Sequence, residues 1–183
     1  MDALMPALVA VAVTEIGGKV QKGVRVFSLK GGEGGVFAAL MLSSAIYYSV
    51  AAFGGAAISH MLNSNAKLLF MAMSLVFAGA PMLLTVKPVV AKKGGFAGSF
   101  IYFVNNQFAD ASAFILLAIA VRTDTPFVGL VGGLFGIAVV AAAPILLGQN
   151  WPEDKILTQI RRLVGLAIIL LAVAMALRAL RLV

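Results

Sequence analysis

The chain contains no cysteine, which excludes disulfides, thiolate metal sites and cysteine nucleophiles and says little about compartment. It has one histidine, His60, beside Ser59, Asn63 and Asn65 at the end of an apolar run, a place that fits an interfacial side chain better than a metal ligand. There is no phosphate-binding glycine loop and no His-Glu-x-x-His, and the eight methionines are scattered without a ladder for Cu(I). No other acid–base or nucleophile set is present, so an enzyme is not expected. Charge is scarce too: 11% of residues are charged and 62% are hydrophobic. A soluble domain of 183 residues cannot hide that much apolar surface, which makes the bilayer the expected solvent.

The charge that is present is basic, with a net value of +7. Its positions point to lipid rather than nucleic acid. The cations fall mainly in short segments between apolar runs, where anionic headgroups would meet them, and no basic stripe is interleaved with exposed aromatics. The segment Met1 to Pro6 has no Lys or Arg ahead of its apolar run, so it reads as a retained first span and not as a secretory signal.

Six apolar runs follow, at about 3–28, 36–61, 66–86, 96–121, 127–148 and 160–181, each near the roughly 20 residues a membrane helix needs. Loop signals separate them: Lys30 to Gly35, Lys87-Pro88, Lys92-Lys93-Gly94-Gly95, Thr123 to Pro126, and Gln149 to Asp154. Tyr47, Tyr48 and Trp151 fit interface anchors or packing. Weak period-two alternation argues against a barrel. Counting Lys22, Arg25, Lys30, Lys87, Lys92, Lys93, Lys155, Arg161 and Arg162 on one side against Lys67, Arg122, Arg178 and Arg181 on the other places the first group in the cytoplasm. The expected localisation is a multi-pass protein of a bacterial inner membrane with both termini outside.

Two polar stretches interrupt this apolar pattern. Thr14-Glu15-Ile16-Gly17-Gly18-Lys19-Val20-Gln21 lies inside the first run, and Asn105-Asn106-Gln107-Phe108-Ala109-Asp110-Ala111-Ser112 lies inside the fourth, about 92 residues later. Ionisable groups at that depth mark a transport path or a buried pair. Their placement divides the chain into residues 1–88 and 94–183, two halves of three spans each. An odd number of spans inverts the second half relative to the first. The expected fold is therefore an all-α integral membrane protein of six transmembrane helices in two inverted three-helix repeats, with a site at the repeat interface.

The first stretch resembles the Glu-x-Gly-Asp-(Lys/Arg)-(Ser/Thr) signature of the transmembrane protein 165 family, formerly uncharacterised protein family 0016. The resemblance implies six spans in two inverted halves, one signature in span one and one in span four, and exchange of Mn2+ or Ca2+ for protons. Glu15, Gly17, Lys19 and Gln21 match the first signature, while the family's Asp and Ser/Thr are Gly18 and Val20 here. Asp110 and Ser112 match the second, while its Glu, Gly and Lys/Arg are Gln107, Ala109 and Ala111. One copy keeps its Glu and the other its Asp, so four carboxylates become two.

Hard cations take oxygen ligands. Glu15 and Asp110 offer carboxylates, and Gln107 stands one turn from Asp110. Ser112 and Asn106 join only if span four is broken. Gly17-Gly18 makes a break plausible in span one, and span four lacks such glycines. Exchange would follow if an ion displaced protons from Glu15 and Asp110 on one side and protons displaced it on the other. Three other readings stay open. Glu15 and Lys19 are spaced for a helical ion pair. The chain could be a non-transporting membrane scaffold that kept the fold and lost the site. A homo- or hetero-oligomer could supply the missing carboxylates. Gly129, Gly132, Gly133 and Gly136 form a close-packing face, read as intramolecular. No cofactor is expected; the partners are lipid, an inorganic cation and the proton.

Overall fold

A backbone in lipid must satisfy its own N–H and C=O groups, so apolar segments of this length form helices. The computed structural model describes residues 3–90, 94–108, 110–147, 151 and 154–181. Among them are eight helices and no strand: α1 Leu4–Glu15, α2 Lys19–Gly31, α3 Glu33–Ser59, α4 Ser64–Leu83, α5 Gly95–Gln107, α6 Ala111–Ala120, α7 Pro126–Leu147 and α8 Asp154–Ala179. The loop positions Lys92, Lys93, Gln149, Asn150, Pro152 and Glu153, and the motif position Ala109, lie outside the described residues.

Helices α3, α4, α7 and α8 are each long and apolar enough to cross a bilayer. The other four are too short to cross alone. Helix α1 meets α2 at 69° and α5 meets α6 at 60°, and each bent pair has the length and composition of one span. The described residues thus give four candidate spans, or six if each bent pair counts as one. That is an all-α architecture of the multi-pass membrane class. The first and fourth apolar runs are broken helices, the fourth without the glycines that a break was expected to need.

Local chemistry sets several boundaries. The Asn63 side chain accepts from Ala66 N at 2.9 Å and caps α4. The Thr123 hydroxyl accepts from Thr125 N at 3.2 Å, and Pro126 then occupies the first position of α7, where its missing N–H costs nothing. His60 is exposed at the end of α3, where an interfacial histidine was expected. Helix α8 begins at Asp154, earlier than the apolar run at about 160. Its first turns are polar, with Lys155, Thr158 and Gln159, and apolar counting does not see them. Arg161 and Arg162 are consequently helical residues and not loop residues. Arg161 is also buried, which weakens the loop-charge bias used to orient the chain.

The two halves of the chain interlock. Helix α1 packs on α7 and α5 on α3, α1 meets α6 and α2 meets α5, and α4 lies along α8. Lipid tails are as apolar as the helices, so close backbone contact must supply much of the association. Gly132 and Gly136 provide it: a Cβ on either would run into the Leu4 or Leu8 carbonyl oxygen of α1. Gly133 faces Leu116 and Tyr48 in the same way, so the glycine face is used within the fold. The main core joins Val11, Leu40, Tyr48, Phe103, Leu116 and Ile137. A second cluster, including Leu75, Met82, Ile115 and Ala172, joins α4 to α6 and to α8. Large apolar side chains such as Val50, Phe77 and Leu170 point outward, as a lipid-facing surface requires.

Candidate ion site at the two helix breaks

Helix α1 ends at Glu15. Gly17 then takes a φ of +67°, a backbone region costly for any residue with a Cβ. A Cβ there would also lie 2.7 Å from the Leu157 carbonyl oxygen of α8. The freed Gly17 N–H donates to Gln21 Oε1 at 2.8 Å, and Gln21 Nε2 donates to the Val140 carbonyl of α7 at 3.4 Å. Gln21 therefore ties the break to α7.

The second break is built otherwise. Asp110 stands in extended backbone and caps α6, its Oδ1 accepting from Ala111 N at 2.8 Å. Yet the two turns coincide in register. Gly18 N donates to Glu15 O at 3.0 Å, and Asp110 N donates to Gln107 O at 3.1 Å. The next helical bonds correspond as well: Lys22 N to Gly18 O, and Phe114 N to Asp110 O.

Four side chains gather where the breaks meet. Glu15 lies against Asp110 and Ser112, and Tyr48 of α3 interacts with all three. Glu15, Ser112 and Tyr48 are each about 1% exposed. Gln107, equally buried, donates through Nε2 to Ser44 Oγ at 2.7 Å, and Ser44 is one turn from Tyr48 on α3. A set of oxygens is left over. Glu15 Oε1, Tyr48 Oη, Gln107 Oε1, Asp110 Oδ2 and Ser112 Oγ are all buried without a hydrogen-bond partner. Buried polar atoms are nearly always paired, so a cluster of orphans calls for a ligand, a proton or water. Helices α1 and α5 also end here, and the carbonyl end of a helix carries partial negative charge that favours a cation.

Of the expected ligands, Glu15, Asp110 and Ser112 lie together, while Gln107, whose backbone carbonyl accepts from Asp110 N, directs its amide to Ser44. Gly17, Gly18 and Gln21 build the first turn. Asn106 does not join the oxygens: its Nδ2 donates to Tyr102 O at 2.9 Å, and it lines a cavity of about 420 Å³ with Lys19, Tyr102, Thr85, Lys87 and Arg161. Lys19 is exposed and forms no ion pair with Glu15. The helical spacing of Glu15 and Lys19 is lost because the break turns α2 away. An apolar cleft of about 590 Å³ lined by α1, α4, α6 and α8 reaches Thr14, whose hydroxyl is spent on the Ala10 and Val11 carbonyls.

Two buried polar side chains were not legible as such. Tyr48 reads as packing in an apolar helix, and only the Ser44–Tyr48 spacing hints at a polar stripe. Tyr47, by contrast, does pack, donating to the Val104 carbonyl at 2.8 Å. Arg161 reads as a loop cation. Arg161 is instead a buried residue, and its guanidinium bonds the Pro81, Met82 and Leu84 carbonyls at the end of α4. Among the described residues no group of three or more His, Cys, Asp or Glu forms, so the acidic part of the site is two carboxylates. No family model matches the chain, and neither a curated protein nor a solved structure matches it significantly.

Proposed function

We propose that this chain is a secondary transporter that exchanges a cation for protons at the joined helix breaks. One observation carries the reading: five buried side-chain oxygens, drawn from both breaks and from α3, have no partner. A hard cation would take Glu15, Asp110, Gln107, Ser112 and Tyr48 as oxygen ligands, and protonation of the two carboxyls would release it. Mn2+ and Ca2+ are the first candidates because of the resemblance to the transmembrane protein 165 family. The shared register of the two turns, and the pairing of α1 with α7 and α5 with α3, support two repeats related by inversion. Residues 1–88 and 94–183 are then the repeats, and both termini lie outside a bacterial inner membrane. A non-transporting scaffold that lost its site predicts Glu15 paired with Lys19, and the lack of that pair supports the exchange reading.

The test uses purified chain in liposomes that hold a pH gradient and a pH-sensitive dye. Mn2+, Ca2+, Mg2+ and Na+ are added in turn. Dye recovery with one cation, abolished in the Glu15→Gln/Asp110→Asn double variant, is the expected result. Equal recovery in the double variant, or none with any cation from folded protein, would end the proposal.

A further inference from the structure

We infer that the protein carries a site for one anionic phospholipid, with the headgroup on Lys67 and Arg122 and one acyl chain in the cleft between α1 and α8.

The cleft of about 590 Å³ sets the tail. Its walls include Val9 of α1, Leu75 of α4, Ile115 of α6, and Ile168 and Met175 of α8. Thr14 is the one polar side chain in the lining, and its hydroxyl is already bonded to the Ala10 and Val11 carbonyls. Any polar group placed there would lose its water and find no partner, so the occupant must be hydrocarbon. On α8 the lining runs from Val164 to Met175, about 16 Å at 1.5 Å per residue, which is about half of a hydrocarbon core of about 30 Å. The cleft is therefore about one leaflet deep. Spread over that depth, its volume gives a mean cross-section of about 37 Å², under half that of a helix about 10 Å across. A helix from a partner or a second copy is too wide for it, and a single acyl chain is not.

The cleft leads to a basic end. Met71 lines it and also lines a second cavity, of about 270 Å³, with Ser64, Lys67, Leu68 and Arg122. No acid lines that cavity; Asp124, two residues beyond Arg122, is exposed and stands outside the lining. Helix α4 begins at Ser64, so the positive end of its dipole adds to the two cations. Two facing helices repeat one order of side chains. Along α4, Lys67, Met71 and Leu75 follow at one-turn spacing. Along α6 and its end, Arg122, Ile119 and Ile115 do the same in reverse chain order. Each row passes from a cation at the helix end to hydrocarbon at depth, which is the order of charge and chain in an anionic phospholipid. A free phosphate would satisfy the cations and leave the cleft unfilled.

The test reconstitutes the full chain in phosphatidylcholine liposomes with a trace of phosphatidylglycerol that carries a diazirine on one acyl chain. After illumination, labelled peptides are read by mass spectrometry. Label at Ile115, Ile168 and Leu171 is compared with label at Val50, an exposed apolar residue of α3. In wild-type protein this ratio should be about tenfold higher for phosphatidylglycerol than for a phosphatidylcholine probe with the same chain. Lys67→Gln/Arg122→Gln should bring the phosphatidylglycerol ratio down to the phosphatidylcholine level. Ala167→Phe, at an exposed wall position, should fill the cleft and lower the ratio without touching the cations. Equal ratios for the two probes on wild-type chain would mean bulk lipid only and overturn the site, a comparison that no misfolded variant can obscure. Full phosphatidylglycerol labelling in Lys67→Gln/Arg122→Gln, or cross-links from the cleft to a second chain, would overturn it as well.

Discussion

At Gly17 the chain turns on a left-handed glycine, held by Gln21 of the following helix, with its carboxylate on the last residue of the helix before the turn. At Asp110 the same turn is made by a residue that caps the following helix with its own side chain. The hydrogen bond that closes each turn is the same, at 3.0 and 3.1 Å. Even the backbone at the position before the second helix agrees, with φ and ψ of −74° and 175° at Gly18 and −81° and 158° at Asp110. Turn geometry is therefore common to both breaks, and the chemistry has been divided between them. One carboxylate comes from each, from opposite sides of the turn. The first break has no side-chain cap and relies on Gln21 and on close contact with Leu157 of α8, whereas the second carries its own cap and is tied to α3 through Gln107 and Ser44.

The largest expected effect tests that dependence. Gly17→Ala combines an unfavourable φ with a close contact to the Leu157 carbonyl, and should destabilise the fold by about 3 kcal/mol in denaturant unfolding from micelles. Phe108→Ala, at an exposed position of the other break, should change stability by less than about 1 kcal/mol. Equal losses at the two sites would break the contrast. Gln21→Leu comes next: it leaves the Gly17 N–H buried and unpaired, for a loss of about 2 kcal/mol by the same measurement.

The comparison can be sharpened by making the first break resemble the second. Gly18→Asp places a cap on α2, which has none, in backbone that Asp110 already occupies at the other break. Its Cβ would lie 3.0 Å from Glu15 O and 3.4 Å from Glu15 Oε2, so the third carboxylate should offset the cap by like-charge repulsion in the ion-free protein and tighten Mn2+ binding. Mn2+ binding no tighter than wild type would mean that the two turns are not interchangeable. Tyr48→Phe should have the smallest effect on folding, within about 0.5 kcal/mol, because the hydroxyl it removes has no partner. The same variant should weaken Mn2+ binding measurably, and unchanged affinity would take Tyr48 out of the ligand set.

Much of this was legible from side-chain type alone. Apolar runs of span length set the helices, and the rare acids Glu15 and Asp110 marked the places where those helices do something other than cross lipid. Gly17-Gly18 announced the first break because only glycine takes that φ without cost. The second break had no such signal, since Asp110 caps by an ordinary extended conformation that many aspartates adopt on any surface. Lys19 misled for a related reason: spacing rules for ion pairs assume a continuous helix, and the turn between Glu15 and Lys19 removes that assumption.

What the sequence alone determined is the all-α membrane class, the division into two polar stretches and the carboxylates within them, because the cost of charge in lipid is a property of composition. Tertiary structure alone decided which neutral oxygens lie beside those carboxylates. Tyr48 is far from both stretches along the chain. Only the packing of α3 against the breaks brings its hydroxyl to Glu15, Asp110 and Ser112, and that packing follows from close glycine contacts and helix register that no local pattern records.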